Sequence, residues 1–402
     1  MINIERLSRN IEELSKIGRT PNGGINRFSY FAEEKAANEL VKQFMESAGM
    51  TVHYDSVGNL VGRLEGASDL PAILLGSHLD TVPDGGRFDG SLGVLSAIEV
   101  VHSLKENGIM LQHPVNVVAF KDEEGTRFGF GMIGSRAVAG SLTRKDLQRT
   151  DDEGISIEQA IADYGIPRRP LADSKLENIR LYLEVHIEQG KILENNGVSV
   201  GNVTGIAGPL WLKFRLKGQS EHAGATPMNQ RQDALVGASL IIAEVEKTSK
   251  HFSSAVATVG KLSVKPNGVN VIPGEVEWTI DIRDIDEDIR DELERRIKQF
   301  AEKIANERHL KLEITELQRV KPIQCNEGLQ NIIKESIEEI GQPVVSLPSG
   351  AGHDGMQFNG LFPIGMIFVR SKDGVSHNPG EFSSEEDIEI ATKVLFKTMM
   401  KL

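Results

Sequence analysis

PAILLGSHLDTVPDGGRFDGSLGVLSAIEVVHSLKENGIMLQHPVNVVAFKDEE, residues 71–124, is the stretch on which the fold turns. Residues 71–76 (PAILLG) form a short apolar run of the kind expected for a buried strand. Residues 92–104 read as a helix, and 114–120 (PVNVVAF) as a second buried strand. Residues 181–185 supply a third. Strand and helix in alternation predict an α/β domain with a mostly parallel sheet. Catalytic groups of such sheets lie beyond the carboxyl ends of the strands. His78, Glu123, Glu124 and His186 all fall at or just after a strand's end.

Working outward, the pattern changes from about residue 208. Residues 211–216 alternate, 233–246 are helical, and 255–264 and 275–283 are strand-like. Ile289, Leu293, Ile297, Ala301 and Ile304 recur every three to four residues, the mark of an amphipathic helix. A strand over 310–316 follows. This order predicts a compact α+β unit, two helices on one face of an antiparallel sheet. After about residue 320 the α/β style returns, with a buried strand at 363–369 and a closing helix from Glu385. The reading is one catalytic domain, 1–207 and 320–402, interrupted by an inserted domain, 208–319.

The chain has 402 residues, enough for two cores. Its 45 basic and 58 acidic residues give a net charge of −13, without the Lys/Arg cluster that a duplex-binding surface needs. Nucleic acid is therefore not expected as a partner. No apolar run reaches the roughly 18 residues of a membrane span, and the N-terminus lacks the apolar core of a signal peptide. The single cysteine, Cys325, cannot close an internal disulfide and sits in no cysteine-centred catalytic motif. A cytoplasmic enzyme is the expectation.

Four segments carry metal chemistry. In 76–95 (GSHLDTVPDGGRFDGSLGVL), His78 follows a buried strand, Asp80 lies two residues on, placed to orient the ring, and Asp89 stands in a glycine-rich turn before a helix. In 120–129 (FKDEEGTRFG), adjacent Glu123 and Glu124 point in different directions, so that one can bind a metal while the other handles a proton. His186 lies in EVHIEQG, 184–190, and His377 in DGVSHNPGE, 373–381. Each segment alone has an ordinary reading: a surface loop, an acidic helix start, a solvent-facing histidine. As a set, three imidazoles with two or three carboxylates suit zinc, manganese or cobalt. One shared carboxylate would hold two ions about 3.5–4 Å apart. His53, His102, His113, His251 and His309 fall outside every motif and read as structural or surface.

The ordered set GSHLD, GGRFDG, DEEGTRF, HIEQG, SEHAGATPM, GVNVIPG, DIRD, SGAGHD and GVSHNP resembles the M20-type metal-dependent amidohydrolases. It is most similar to their N-carbamoyl-L-amino acid hydrolase branch, with allantoate amidohydrolase and β-ureidopropionase close by. The resemblance implies two divalent ions (manganese, zinc, cobalt or nickel) bridged by Asp89. His78 and His186 would complete one site, Glu124 and His377 the other. It also makes Glu123 the general base and Asp80 the orienter. His222 would donate to the oxyanion, Arg283 would grip a substrate carboxylate, and Gln189, Asn270, Gly350, Gly352 and His353 would line the substrate pocket. The aminoacylase and carboxypeptidase branches usually carry a carboxylate where this chain has His186, which favours a ureido substrate over a peptide. The inserted domain would act as lid and dimerisation unit, lending His222 to the opposite subunit. Rival readings are an allantoate amidohydrolase, an M20-type dipeptidase or aminoacylase, and a catalytically silent ligand-binding relative.

Overall fold

The computed structural model describes residues 2–402, and the chain divides into two compact units. The first comprises residues through Thr204 together with Cys325–Leu347 and His353–Leu402; the second comprises Gly205–Gln324 and Pro348–Gly352. The strands in chain order are β1 (Thr51–Tyr54), β2 (Leu60–Leu64), β3 (Ala72–His78), β4 (Val115–Phe120), β5 (Ile179–Ile187) and β6 (Val200–Ile206). They continue with β7 (Gly208–Lys217), β8 (Val256–Lys265), β9 (Glu275–Asp284) and β10 (Lys311–Arg319). Two short strands, β11 (Ile323–Gln324) and β12 (Ser346–Ser349), precede β13 (Ile364–Val369).

In the first unit the strand order is β1-β2-β4-β3-β5-β13-β6. The pairs β4/β3, β3/β5 and β5/β13 are parallel. The α/β architecture is as read from sequence, but the sheet is mixed rather than mostly parallel: β1/β2, β2/β4 and β13/β6 run antiparallel. The reason for the first of these is local. The Asp55 carboxylate accepts the N–H groups of Val57, Gly58 and Asn59, closing a tight turn between β1 and β2. Strands joined by so short a turn can only be antiparallel. Apolar periodicity marks a strand but not its direction, and the sequence reading named neither β1, β2 nor β6.

The central strands are buried along their whole length, which matches their continuous apolar runs. Helix Ser91–Glu106 is apolar nearly all round, and it is buried nearly all round, lying against β3 and β5. Leu75, Ile98, Val117, Val185, Ile367 and Val394 belong to the core it shares with helix Glu385–Met400.

The second unit is an antiparallel sheet, β10-β7-β9-β8, with helices Ala234–Ser249 and Glu287–Glu307 packed on it. Strand β9 alternates buried and half-exposed positions without a break, so its inward residues Val276, Trp278, Ile280 and Ile282 form one row. Its other face carries Glu275 and Glu277, paired with Arg215 of β7. Helix Glu287–Glu307 starts at Asp286, whose carboxylate accepts the Asp288 and Ile289 N–H groups. The buried guanidinium of Arg290 donates to the carbonyls of Gly208 and Val320, at 3.2 and 2.6 Å. It thereby joins the two points where the chain enters and leaves the sheet.

Trp278 is the largest fully buried side chain and stacks on Phe214 with centroids 5.3 Å apart and planes at 24°. Trp278→Ala is expected to cost about 3–5 kcal/mol of the second unit's stability. Denaturant unfolding followed by circular dichroism checks this. A loss under about 1 kcal/mol would place the centre of that core elsewhere.

Candidate active site

The parallel register of the central strands assembles the site. His78 at the end of β3 pairs with Phe120 at the end of β4, and His186 sits near the end of the adjacent β5. Beyond β4 the chain turns through Asp122, which holds a left-handed φ of 52°, and so aims Glu123 and Glu124 back over the strand ends. Gln189 and His377 are also left-handed, at 58° and 53°. Such backbone is uncommon outside glycine and clusters at functional sites. Asp89 precedes helix Ser91–Glu106 through Gly90, which has φ 64°. A Cβ there would stand 2.5 Å from the His78 ring, so only glycine lets the turn pass the imidazole this closely.

Asp89 is shared between two groups of donors. Its Oδ1 lies 3.2 Å from His186 Nε2 and 3.7 Å from His78 Nε2. Its Oδ2 lies 3.2 Å from His377 Nε2, which is itself 3.5 Å from Glu124 Oε1. His78–Asp89–His186 and Asp89–Glu124–His377 are thus two clusters, each with ligand atoms within 4.8 Å of one another. Glu123 Oε2 is 3.8 Å from His78 Nε2, beside both. The five ligand residues read from sequence and the proposed base converge in the first unit.

The ring tautomers suit ligation. His78 Nδ1–H donates to the Asp80 carbonyl at 2.9 Å, and His186 Nδ1–H to the Ile187 carbonyl at 2.9 Å. Each turns its Nε2 toward the cluster, the atom that would ligate a metal on losing its proton. His186 Nε2 is buried without a hydrogen-bond partner, although Asp89 is near. Asp80 orients His78 by its carbonyl and not by its carboxylate, the group the sequence reading had chosen. That carboxylate stands 3.7 Å from the ring and instead accepts the Glu123 and Glu124 N–H groups, at 3.2 and 3.1 Å.

Electrostatics point the same way. Burial and then the charge of Glu124 push the Glu123 carboxyl well above its usual range; burial and then Asp89 do the same to Glu124. Burial also acts on Asp89, but the neighbouring His186 and His377 imidazoles, each 3.2 Å away, outweigh it and hold that carboxyl well below the usual range. His186 is correspondingly raised to about 9: burial opposes its charge, and Asp89 overrides burial. Carboxylates packed this closely ionise together only beside concentrated positive charge, and divalent ions between hard oxygen and imidazole donors supply it. The donor set fits two divalent ions.

Sequence reasoning missed the support beneath Asp89. Glu381 Oε1 accepts the N–H groups of Phe88 and Asp89, at 2.9 and 3.1 Å, and its Oε2 accepts the Ser376 hydroxyl at 2.9 Å. A Cβ on Gly86 would stand 2.0 Å from that carboxylate, which explains the second glycine of GGRFDG. Glu381 lies inside DGVSHNPGE, but an acid in a loop carries no signal of its own. Gln189, read as a substrate residue, directs Nε2 to Asp89 Oδ2 at 3.0 Å and Ser376 Oγ at 3.1 Å. His353 is buried with its ring edge-on to His186, centroids 4.4 Å apart. Cys325 is buried, and burial raises its thiol to about 12, a poor setting for a nucleophile.

The remaining residues of the sequence reading belong to the second unit. His222 is exposed, and its Nδ1 accepts the N–H groups of Gly224 and Ala225, both at 3.1 Å. Its Nε2 therefore carries the proton and faces outward as a donor. Asn270 is beside it: the Ala223 N–H donates to the Asn270 carbonyl, and His222 bridges Val271. Arg283 is held by Asp281 through Nε and Nη2, at 3.1 and 2.8 Å, and donates Nη1 to the Gly350 carbonyl at 2.8 Å.

Wild-type protein is expected to take up two equivalents of zinc or manganese, with a rise in Tm on loading. Asp89→Asn should lose both equivalents and His377→Ala only one, as read by elemental analysis after dialysis. Two equivalents retained in Asp89→Asn would show that Asp89 is not shared.

The profile of Peptidase family M20/M25/M40 matches residues 74–401. An N-carbamoyl-L-amino acid amidohydrolase of Geobacillus stearothermophilus is 47% identical over 405 residues, covering 100% of this chain and 99% of that one. The allantoate amidohydrolase of Bacillus subtilis is 35% identical, covering 98% and 96%. The crystal structure of an amidase of the hydantoinase/carbamoylase family from Burkholderia multivorans superposes with a TM-score of 0.95 at 35% identity, covering 100% and 98%. Whole-length similarity of this order, joined to a two-cluster site at the strand ends, places the chain in the M20 peptidase superfamily, within its hydantoinase/carbamoylase branch.

Proposed function

We propose that the protein hydrolyses the carbamoyl C–N bond of N-carbamoyl-L-amino acids, releasing the L-amino acid, carbon dioxide and ammonia. The observation that carries this reading is Glu123 standing beside two donor clusters that share Asp89, with the His186 imidazole in one of them. The 47% identical carbamoylase relative supports the same substrate class.

Bound divalent ions supply Lewis acidity and lower the pKa of a water. The chain's own groups do the rest. Glu123 takes a proton from the attacking water and later returns it to the leaving nitrogen, so one carboxylate serves as base and then acid. The Nε2–H of His222 donates to the oxyanion of the tetrahedral intermediate, a contact made fully only as charge develops there. Arg283, its Nε and Nη2 fixed on Asp281, meets the substrate carboxylate. Gln189 holds Asp89 in place, and His353 backs His186, so both act at the edge of the pocket. Collapse of the carbamic acid product then gives carbon dioxide and ammonia. The allantoate amidohydrolase relative supports a second reading, in which the same groups open a longer ureide.

We further propose a homodimer formed through the second unit. Strand β8 is an edge of its sheet and exposes Val256 and Leu262, and helix Ala234–Ser249 exposes Val236 and Leu240. Apolar edge strands invite pairing with another chain, and a two-fold partner is the common outcome. In this arrangement His222 of the partner subunit completes the site. No helix among the described residues is long and apolar enough to cross a membrane, and the single buried cysteine suits a reducing cytoplasm.

Metal-loaded protein is expected to release ammonia fastest from an N-carbamoyl-L-amino acid in a panel with allantoate, β-ureidopropionate and a dipeptide. Glu123→Gln should keep its metal and lose at least about a hundredfold in kcat. A dipeptide preference would overturn the substrate class; a tenth or more of wild-type kcat in Glu123→Gln would remove Glu123 as the base.

Subunit exchange tests the dimer. Glu123→Gln and His222→Ala are each expected to be nearly inactive alone. Mixed and exchanged, they should recover about a quarter of wild-type activity, since half the dimers carry one intact site. A mixture that stays inactive despite demonstrated exchange would place His222 in the site of its own chain.

A further inference from the structure

Arg27 is among the most deeply buried charged side chains, 1% exposed, and no carboxylate pairs with it among the described residues at ion-pair distance. Its donors go to two places that matter for the metal clusters. Nε–H donates to the carbonyl of Leu79, the residue between His78 and Asp80, at 2.7 Å. Nη2–H donates to the Ser91 hydroxyl at 2.7 Å, two residues after Asp89, and the Ser91 N–H in turn donates to the Asp89 carbonyl. Nη1–H anchors the fork on the Leu14 carbonyl at 3.2 Å, in helix Ile4–Ser15.

The backbone around Arg27 grips the same turn. Its N–H donates to the Thr81 hydroxyl at 3.0 Å, its carbonyl accepts the Thr81 N–H at 3.1 Å, and Thr81 Oγ1 donates to the Ile25 carbonyl at 3.1 Å. Ile25 and Gly85 exchange N–H···O bonds farther along the loop that leads to Asp89. A few residues on, Glu34 forms a buried ion pair with Lys121, which leads into Asp122 and the Glu123–Glu124 pair. Residues 25–34 thus touch the turns that carry His78, Asp89, Glu123 and Glu124. The M20 profile begins only at residue 74, so this segment lies outside the part of the chain that the superfamily's common pattern describes.

We propose that Arg27 is a positioning residue of the metal centre: its planar fork sets the separation between the His78 turn and the Asp89 turn, and so the geometry of the cluster they share with His186. The physical case rests on the fork. A guanidinium presents donors at fixed angles and therefore fixes two acceptors relative to each other, whereas an ammonium on a flexible stem does not. A generic buried arginine would be satisfied by any carbonyls; this one spans two ligand turns adjacent in space but separate in sequence. The inference rests on the two-cluster reading of the site and is independent of the substrate assigned to it.

The test uses zinc as probe, on wild type, Arg27→Lys and Ser91→Ala, with calorimetric titration against a competing chelator. Wild type should bind two equivalents. Arg27→Lys should keep its far-ultraviolet circular dichroism yet bind the tighter zinc at least about tenfold more weakly, the scale on which outer partners of ligands act. Its kcat should fall by a similar factor while KM stays within about threefold, since the substrate contacts are untouched. Ser91→Ala, which removes only one acceptor, should move the zinc affinity in the same direction by a smaller factor. Folded Arg27→Lys with wild-type zinc affinity and kcat overturns the proposal. If Arg27→Lys does not fold, Ser91→Ala decides alone, and unchanged zinc affinity there overturns it. A wild-type protein that bound no zinc would remove the two-ion reading, and this inference with it.

Discussion

The carboxylate of Asp89 has to face in two directions at once while buried. One oxygen is turned to His78 and His186 and the other to His377, with Glu124 behind it. A carboxylate out of water is costly unless its charge is met and its position is fixed, because the low local dielectric magnifies both attraction and repulsion. Much of the surrounding structure serves that requirement. Gly90 lets the turn pass close to the His78 ring, Glu381 accepts the two N–H groups before and at Asp89, and Gln189 donates to Oδ2. Each of these contacts joins segments remote in sequence, so the site is a property of the packed sheet.

The same low dielectric explains the unusual density of buried polar groups around it. Glu184 is fixed by the Ser77 and Tyr182 hydroxyls, at 2.7 and 2.9 Å, on the strand that carries His186. Burial raises its carboxyl, as it raises Asp80 and Asp122 nearby. A centre of divalent charge would stabilise the ionised forms of carboxyl groups so placed. The arrangement therefore couples metal occupancy to the protonation of the whole cluster. Glu123 lies at the edge of this group, its Oε2 3.8 Å from His78 Nε2.

The second unit meets a different requirement. Three polar residues sit on or beside its antiparallel sheet: Arg283 near the end of β9, His222 and Asn270 on two bridged loops. Arg283 is oriented by Asp281, two residues earlier on the same face of the strand. His222 has its proton placed on the outward nitrogen by two backbone N–H groups. Both side chains are thus held in one orientation by groups of their own unit.

The sequence by itself determined the kinds of element, their order, and the chemistry carried at their ends. Runs such as VNVVAF and IGMIFV point to buried strands, the 3–4 spacing from Ile289 to Ile304 to a half-buried helix, and imidazoles and carboxylates placed after strands to metal donors. These signals are local, written within a few residues of where they act. Strand direction, the division of Asp89 between two clusters, the use of the Asp80 carbonyl in place of its carboxylate, and the roles of Arg27, Gln189 and Glu381 were decided only in the tertiary structure. Arg27 meets Ser91 across 64 positions of sequence, and Glu381 meets Phe88 across 293. No periodicity or motif encodes such pairings, because they follow from how the whole core packs and from the demand that every buried polar group find a partner.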